Sequence, residues 1–552
     1  MQRPALSLLI LCFFTFFLGL GRQAITDSDE GYYAEASREM VESGDWLTPR
    51  FNYENRFEKP VLYYWLTAAT YLLTGPDEAA ARFWSAMSGV GVVLLTWAII
   101  PPPIRKDAAW LAGAIVATSF GCFALARWAL PDLPLTFFIT LAIWSSLRAL
   151  ERAMRGEPWL SAWALAGLAT GLGFLTKGPV ALALPAVVLV PVWWRFRRSV
   201  RLDPRGLALA VLIFAVVGLP WYVAMWREHG TAYFQSFFVG DNIERFTTSR
   251  FNDARPIWYY LAVLLGGMLP WSIYLGMFTG RSLFDYVRRT WKPSDFQWVL
   301  LTWAVMPLLF YTLSVGKQPR YILPVLPPVA VLLAQALTDR IDASRARPDR
   351  PQPALRVGTW ITALFFVVLA VLFINVQPLL INTFPLLTWT AAVISVIAAI
   401  AFATLAFTKR WSALPLVGPI AAVALLLAVQ FGALAGRRPE AVEQMAELVQ
   451  ANRAANEPVC IYNVFVRNLT FYTHFRLVQA FDAEQAAQLA RQQQRVLFVA
   501  QADDVKAIEA ALGTPLQTLG RVDYVNSANL RLGTLVQPDP DDRVSVLLVA
   551  NH

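Results

Sequence analysis

Cysteine and histidine are scarce in this chain, with three of each in 552 residues. Cys12, Cys122 and Cys460 are too scattered for a disulfide framework or a thiolate metal site. His229 has only Glu58, Asp29 or Glu30 to help it hold an ion, the other histidines lying near the C-terminus, so no metal is expected. A Gly-rich phosphate loop is missing too, which argues against a nucleotide site, and no cofactor is inferred. Charge is the broadest lack. Only 15% of residues are Asp, Glu, Lys or Arg, against roughly 25% in a soluble domain. The net charge of +9 does not point to nucleic acid, because the Lys and Arg residues fall between apolar runs, where orientation in a bilayer accounts for them.

Apolar residues take up the rest: 57% of the chain is hydrophobic and 21 residues are Trp. Stretches near the ~20 residues a helix needs to cross a bilayer recur to about residue 434 and then stop. The first, from Pro4 to Leu20, lacks a small-residue cleavage site and reads as a retained span rather than a signal peptide. Basic loops containing Arg105, Arg148, Arg152, Arg155, residues 195–201, Arg281 to Lys292, residues 339–356 and Lys409 are assigned to the cytoplasm by the positive-inside rule. Threading spans between them predicts thirteen helices, near 4–21, 83–101, 108–126, 133–150, 159–175, 179–194, 206–226, 256–279, 297–315, 321–338, 357–376, 384–407 and 412–434. An odd count puts the tail outside. The run at 60–74 is too short to span, and counting it would invert the later loops, so it is expected to be re-entrant or interfacial. The fold class expected is an all-α polytopic membrane domain over 1–436, with outer juxtamembrane helices and a small α/β domain over 437–552. In that tail, β-rich runs such as 459–464 and 495–500 alternate with helical patterns.

The loops left on the outer side mix acids with bases: Asp29, Glu30, Lys59, Asp132, Lys177, Arg245, Lys317, Arg320 and Tyr321 all fall there. In TDSDEGYYAEASREM (26–40), Ser28 or Asp27 can cap a short helix, Tyr33, Ala36 and Met40 share an apolar stripe, and Gly44 can end it. Its blandest reading is a solvated surface helix. Lys59, in RFEKP, is either a snorkelling interfacial lysine or a point charge on a phosphate. Lys317, Arg320 and Tyr321 in GKQPRYILP offer two cations and a hydroxyl, which suits a phosphate ester better than a neutral ligand. The stretch 227–255 is too long and too rich in Phe for a plain connector, and it carries Arg245, Arg250 and Arg255.

Taken in order, the acidic pair Asp29 and Glu30, the sequence on through FEKPVLYYW, ALPDLPL (129–135), FLTKGPVA (174–181) and GKQPRYILPVLPP (316–328) resemble the bacterial polyprenyl-phosphate-dependent glycosyltransferases of the C type. Among these the chain is similar to the aminoarabinose (4-amino-4-deoxy-L-arabinose) transferases that modify lipid A. The resemblance covers about the first 430 residues and is weaker in the tail. It implies an undecaprenyl phosphate-linked sugar donor drawn from the membrane lipids, a lipid A acceptor, and a periplasmic site on the bacterial inner membrane. It also implies that Asp29 is the family's first-loop acid, that Lys59 is a lipid-phosphate ligand, and that Asp132 is a second functional acid. Arg245 and Tyr321 are further phosphate contacts on this reading, with Arg250 or Arg255 as alternatives to the first; Glu30, Lys317 and Arg320 complete the expected site. A mannosyl-type transferase acting on a hydroxyl, or a lipid-linked sugar transporter, are the rival readings. A transporter is expected to carry charges within its spans and two related halves, and neither is evident.

Overall fold

The computed structural model describes every residue except 1, 102–105, 200–202, 249–254, 277–292, 378, 380–383, 526–532, 534–535, 540–542 and 552. Arg250 and the basic stretch from Arg281 to Lys292 therefore lie outside the described residues. Apolar helices occupy the places expected for spans. Among the described residues seven are long and apolar enough by themselves to cross a bilayer, or nine if each of two bent pairs is one span. The bends are 57° between Lys106–Ala117 and Phe120–Ala126, and 41° between Pro204–Gly218 and Pro220–Thr247. Pro220 accounts for the second, since its ring removes a donor and crowds the preceding turn. Pro4–Phe17, Leu160–Lys177 and Val180–Phe196 are shorter apolar helices, and the eighth expected span is described over Tyr259–Gly267 and Trp271–Tyr274. The chain is a multi-pass helical membrane protein.

Residues 26–59 carry the local signals read from the sequence. Ser28 caps the helix Asp29–Ser43, its side chain accepting from the Glu30 N–H, and Gly44 ends it with φ of +67°. Tyr33, Ala36 and Met40 are buried beneath it. A hairpin follows, β1 (Arg50–Phe51) pairing antiparallel with β2 (Glu54–Asn55). Its two turn residues, Asn52 and Tyr53, both have positive φ, as a two-residue hairpin turn twisted like its strands requires. The segment expected to be re-entrant or interfacial is a helix of 13 residues, Leu62–Thr74; at 1.5 Å per residue it is about 20 Å long, short of the ~30 Å hydrocarbon core. Tyr33 of the acidic helix stacks on Tyr64 with ring centroids 5.4 Å apart, locking these two helices together.

The segment 227–255, expected as a loop, is largely helical up to Thr247. Helix Pro220–Phe234 kinks at Gly230 and continues as a π-helical stretch, Gln235–Glu244. Aromatic pairs one turn apart hold it: Tyr233 stacks on Phe237 at 5.9 Å, and Phe234 on Phe238 at 4.8 Å.

The membrane helices end at Leu434 and the first tail helix, Ala441–Asn452, begins after six intervening residues. The tail is an open five-stranded sheet of β3 (Val459–Tyr462), β4 (Val478–Ala480), β5 (Leu497–Gln501), β6 (Gln517–Val525) and β7 (Arg543–Ala550), in the order β4-β3-β5-β7-β6. The β3–β4 and β3–β5 pairs are parallel, while β5–β7 and β6–β7 are antiparallel. Alternation decides the two faces. Val459 and Ile461 pack with Met445 of Ala441–Asn452, whereas Cys460 packs with Ala486 and Ile508 of the helices Ala483–Gln492 and Ala502–Leu512.

This tail is not detached. The carboxylate of Asp27 accepts from the N–H groups of Val466 and Arg467, at 3.2 and 2.7 Å. Tyr472 accepts from the Ile25 N–H at 2.8 Å and donates to Glu78 at 2.9 Å. Asn52 exchanges two hydrogen bonds with the backbone of Leu477, at 2.7 and 2.8 Å. A Cβ on Gly31 would stand 2.4 Å from the Arg467 carbonyl oxygen, so only glycine permits this approach.

Candidate active site

Helix ends bring the charged residues together. Asp29 is the first residue of Asp29–Ser43, Asp132 the first of Asp132–Met154, and Lys177 the last of Leu160–Lys177. Carboxylates at N-termini and an ammonium at a C-terminus each complement the helix dipole. Gly178 follows Lys177 with φ of +77°, and a Cβ there would meet the Phe237 ring at 2.5 Å, so the chain turns tightly beneath the aromatic stack.

Two linked ionic groups result. In the first, Arg320 pairs with Asp29; its Nε also lies 3.4 Å from Asp132, to which Lys177 donates at 2.6 Å. The Lys177 ammonium sits 4.7 Å from the centre of the Tyr321 ring. In the second, the buried Asp241 accepts from both Lys59 and Arg245, the latter at 2.6 Å. Lys59, Lys177, Asp241, Arg245 and Tyr321 then form the polar end of a cavity of about 590 Å³. Phe234, Phe237, Phe238, Phe246 and Phe310 line it as well. A charged head joined to an apolar channel matches an amphiphile with a phosphate at one end.

Burial lowers the Lys59 ammonium to about 8, with Asp241 opposing the shift and the nearby Arg245 and Lys177 charges adding to it. For Asp29 burial works to raise the pKa, but Arg320, together with Lys59 and Arg467, outweighs it and holds the carboxyl below its ordinary range. Both groups are therefore charged at neutral pH, as catalysis by charge requires.

Of the residues expected in the site, Lys59, Arg245 and Tyr321 line the cavity, and Asp29, Asp132 and Arg320 adjoin it through the ion-pair chain. Glu30 and Lys317 are not brought to it. Glu30 is one helical step, about 100°, beyond Asp29 and points inward. There Arg82 donates to both its oxygens, at 2.8 and 3.1 Å, and the N–H groups of Thr26 and Ala129 donate at 3.0 and 2.9 Å. Every lone pair it could offer a substrate is thus engaged in holding the membrane exit. Lys317 is buried and donates to the Ser314 carbonyl at 2.5 Å. Arg255 lies over the Tyr259 ring, 5.9 Å from its centre, and does not line the cavity. Two members, Asp241 and Lys177, fall in the outer loops but are given no role by the sequence. Asp241 and Arg245 stand at i and i+4, a legible ion-pair spacing once the segment is known to be helical. Lys177 had no visible partner until the fold placed it against Asp132.

Comparisons with known proteins bear on the family and on the fold. The family model of dolichyl-phosphate-mannose-protein mannosyltransferases matches residues 6–235. An undecaprenyl phosphate-α-4-amino-4-deoxy-L-arabinose arabinosyl transferase of Aeromonas salmonicida is 32% identical over 448 residues, 79% of this chain and 78% of the relative. One of the same name from Pectobacterium carotovorum is 34% identical over 365 residues, 66% of this chain; the match spans 63% of that relative's length, just under two thirds. Among solved structures, ArnT from Cupriavidus metallidurans bound to undecaprenyl phosphate superposes with a TM-score of 0.73 at 21% identity, covering 98% of this chain and 97% of that one. The archaeal oligosaccharyltransferase AglB from Archaeoglobus fulgidus shares the fold more loosely, with a TM-score of 0.54 at 13% identity over 90% of this chain and 69% of that one.

Proposed function

We propose, since this chain belongs to the family of undecaprenyl phosphate-α-4-amino-4-deoxy-L-arabinose arabinosyl transferases, that it transfers aminoarabinose from undecaprenyl phosphate to a lipid A phosphate. The site works at the periplasmic face of the bacterial inner membrane, and the basic loops at Arg148 to Arg155 and 195–201 face the cytoplasm. The membrane domain, residues 1–436, holds the reaction, and residues 437–552 form the periplasmic domain. One observation carries the reading: Lys59, Arg245, Lys177 and Tyr321 stand at the polar end of a Phe-walled cavity. That cavity receives the donor's phosphate and the start of its polyprenyl chain.

An oxygen of the acceptor phosphate attacks the anomeric carbon while the bond from that carbon to the undecaprenyl phosphate oxygen breaks. Its electron pair leaves on the phosphate. The acceptor becomes a diester and gives up one negative charge as the leaving group gains one, so no proton need move. Lys59, Arg245 and Tyr321 stabilise the charge gathering on the leaving phosphate. Asp241 keeps the two cations together. Asp29 faces the sugar, attracting its ammonium and the positive charge that develops at the anomeric carbon, while Asp132 holds Arg320 and Lys177 in register.

Purified protein given the undecaprenyl phosphate-linked donor and lipid A is expected to add one aminopentose to lipid A by mass spectrometry. Asp29→Asn and Lys59→Ala each abolish the product while eluting as monodisperse protein. If lipid A stays unchanged and a protein hydroxyl is glycosylated instead, the mannosyl-type reading favoured by the match to residues 6–235 replaces this one. With a hydroxyl acceptor Asp29 becomes a general base.

A further inference from the structure

The domain that docks over the first loop holds on through the backbone of 466–467 and the side chains of Asn468 and Tyr472, and the Arg467 guanidinium, facing Tyr32 and the Asp27 and Asp29 carboxylates, is turned toward the acidic helix. Asp27 takes the N–H of Arg467, and Gly31 lies against the Arg467 carbonyl, so the guanidinium is not needed for docking. It reaches instead over Tyr32, 5.4 Å from the ring centre, on the face of the acidic helix next to Asp29. Arg56 covers the same ring at 3.9 Å. Among the described residues the Arg467 Nε is buried yet has no hydrogen-bond partner, an arrangement that costs free energy unless a ligand supplies an acceptor. The loop presenting it is held in an unusual conformation, with Asn463 and Phe465 both at positive φ. Neither Arg467 nor Arg56 lines the donor cavity.

We infer that Arg467, with Arg56 over the same Tyr32 ring, forms a second anion subsite beside Asp29 that holds a phosphate of the acceptor. This rests on the proposed transfer to lipid A. Two phosphates must meet at one sugar, one leaving and one attacking, and the cavity cations serve only the first. Two guanidiniums stacked about an aromatic ring suit the second, because a planar fork grips a phosphate monoester bidentately without closing the path to the anomeric carbon. The C-terminal domain thereby contributes a substrate contact, and its docking assembles the acceptor site.

The full-length protein in lipid nanodiscs tests this with bisphosphoryl lipid A and its dephosphorylated form as probes. Arg467→Gln is expected to raise the KM for lipid A at least tenfold, to weaken lipid A binding by a similar factor, and to leave the donor KM within twofold. Arg467→Lys recovers part of the loss. Wild-type protein binds the dephosphorylated form more weakly, and Arg467→Gln removes that preference. An unchanged acceptor KM and preference in Arg467→Gln, with the wild type active, overturns the subsite alone. Failure of the wild type itself to modify lipid A overturns the functional reading and the subsite with it, and is visible before any variant is made.

Discussion

At the scale of single residues, adjacent carboxylates are given opposite tasks by the direction in which the helix points them. Asp29 keeps part of its surface open and pairs with Arg320, whereas Glu30 is sealed against Arg82 with both side chains at or near zero exposure. Breaking a buried pair by removing one charge strands the other, at a cost of roughly 3–5 kcal/mol. Glu30→Gln is therefore expected to lower the thermal unfolding temperature markedly, with surviving folded protein retaining its donor KM; Asp29→Asn should do the reverse, sparing stability and removing turnover. Lys59 supplies a pH test. Its ammonium is held at about 8, so it is charged below that pH and neutral above it. Since the leaving phosphate needs the cation, kcat/KM for the donor should fall as pH rises through about 8. A bound phosphate raises the lysine pKa, so the limb in kcat lies at higher pH. Lys59→Arg, which stays charged, should flatten the limb even if its rate is lower. A donor profile unchanged between wild type and Lys59→Arg would remove Lys59 from the charge-stabilising role.

At the scale of elements, spacing and capping signals were legible where they act locally, and packing-driven ones were not. The Ser28 cap, the Tyr33, Ala36 and Met40 stripe and the Gly44 stop are all visible in fifteen or so residues, and so is the shortness of Leu62–Thr74. The helix after Gly230 was hidden, because its π-helical turns depend on aromatic contacts that periodicity does not reveal. With it went the partnership of Asp241 with Lys59, which joins residues 182 positions apart. Lys59 and Tyr321 stand out by charge type and loop position, whereas Arg245 is nominated by the resemblance with Arg250 or Arg255 as alternatives, and Glu30 and Lys317 cannot be set aside until their buried partners are known. Gly316 shows how closely these elements meet. Its N–H donates to the Arg245 carbonyl at 3.2 Å, and a Cβ at Gly316 would stand 2.2 Å from that same oxygen. Gly316→Ala must push the Arg245 turn away from the Tyr321 turn. A displacement near 1 Å at a charge-stabilising group can cost on the order of 100-fold; activity should fall by roughly that factor while the protein remains extractable and monodisperse. Near wild-type turnover in Gly316→Ala would show that Arg245 does not have to be held there.

At the scale of the whole molecule, the C-terminal sheet region is fastened to the loop that carries Asp29, so one interface bears on both. Asp27 is the most economical point at which to loosen it, because its carboxylate alone accepts two backbone N–H groups of the tail, 439 and 440 residues away in sequence. Each charge-assisted hydrogen bond contributes about 1.5–3 kcal/mol, and the neighbouring contacts of Tyr472, Asn52 and Asn468 remain. Because the carboxylate is exposed to water, Asp27→Ala should weaken docking by less than the sum of about 3–6 kcal/mol, roughly 2–4 kcal/mol, without unfolding the membrane helices, which among the described residues share no hydrogen bond with that carboxylate. Amide exchange is expected to rise in 463–473 and 25–31 and to stay low in the strands β3 and β5, whose ladder does not involve the interface. If docking only covers the membrane domain, turnover will be indifferent to this loosening. If it assembles the acceptor site, the acceptor KM should climb with the exchange rate while the donor KM holds, and restoring the interface with Asp27→Glu should bring both back together. Exchange that rises with an unmoved acceptor KM separates the two roles and assigns the tail to stability alone.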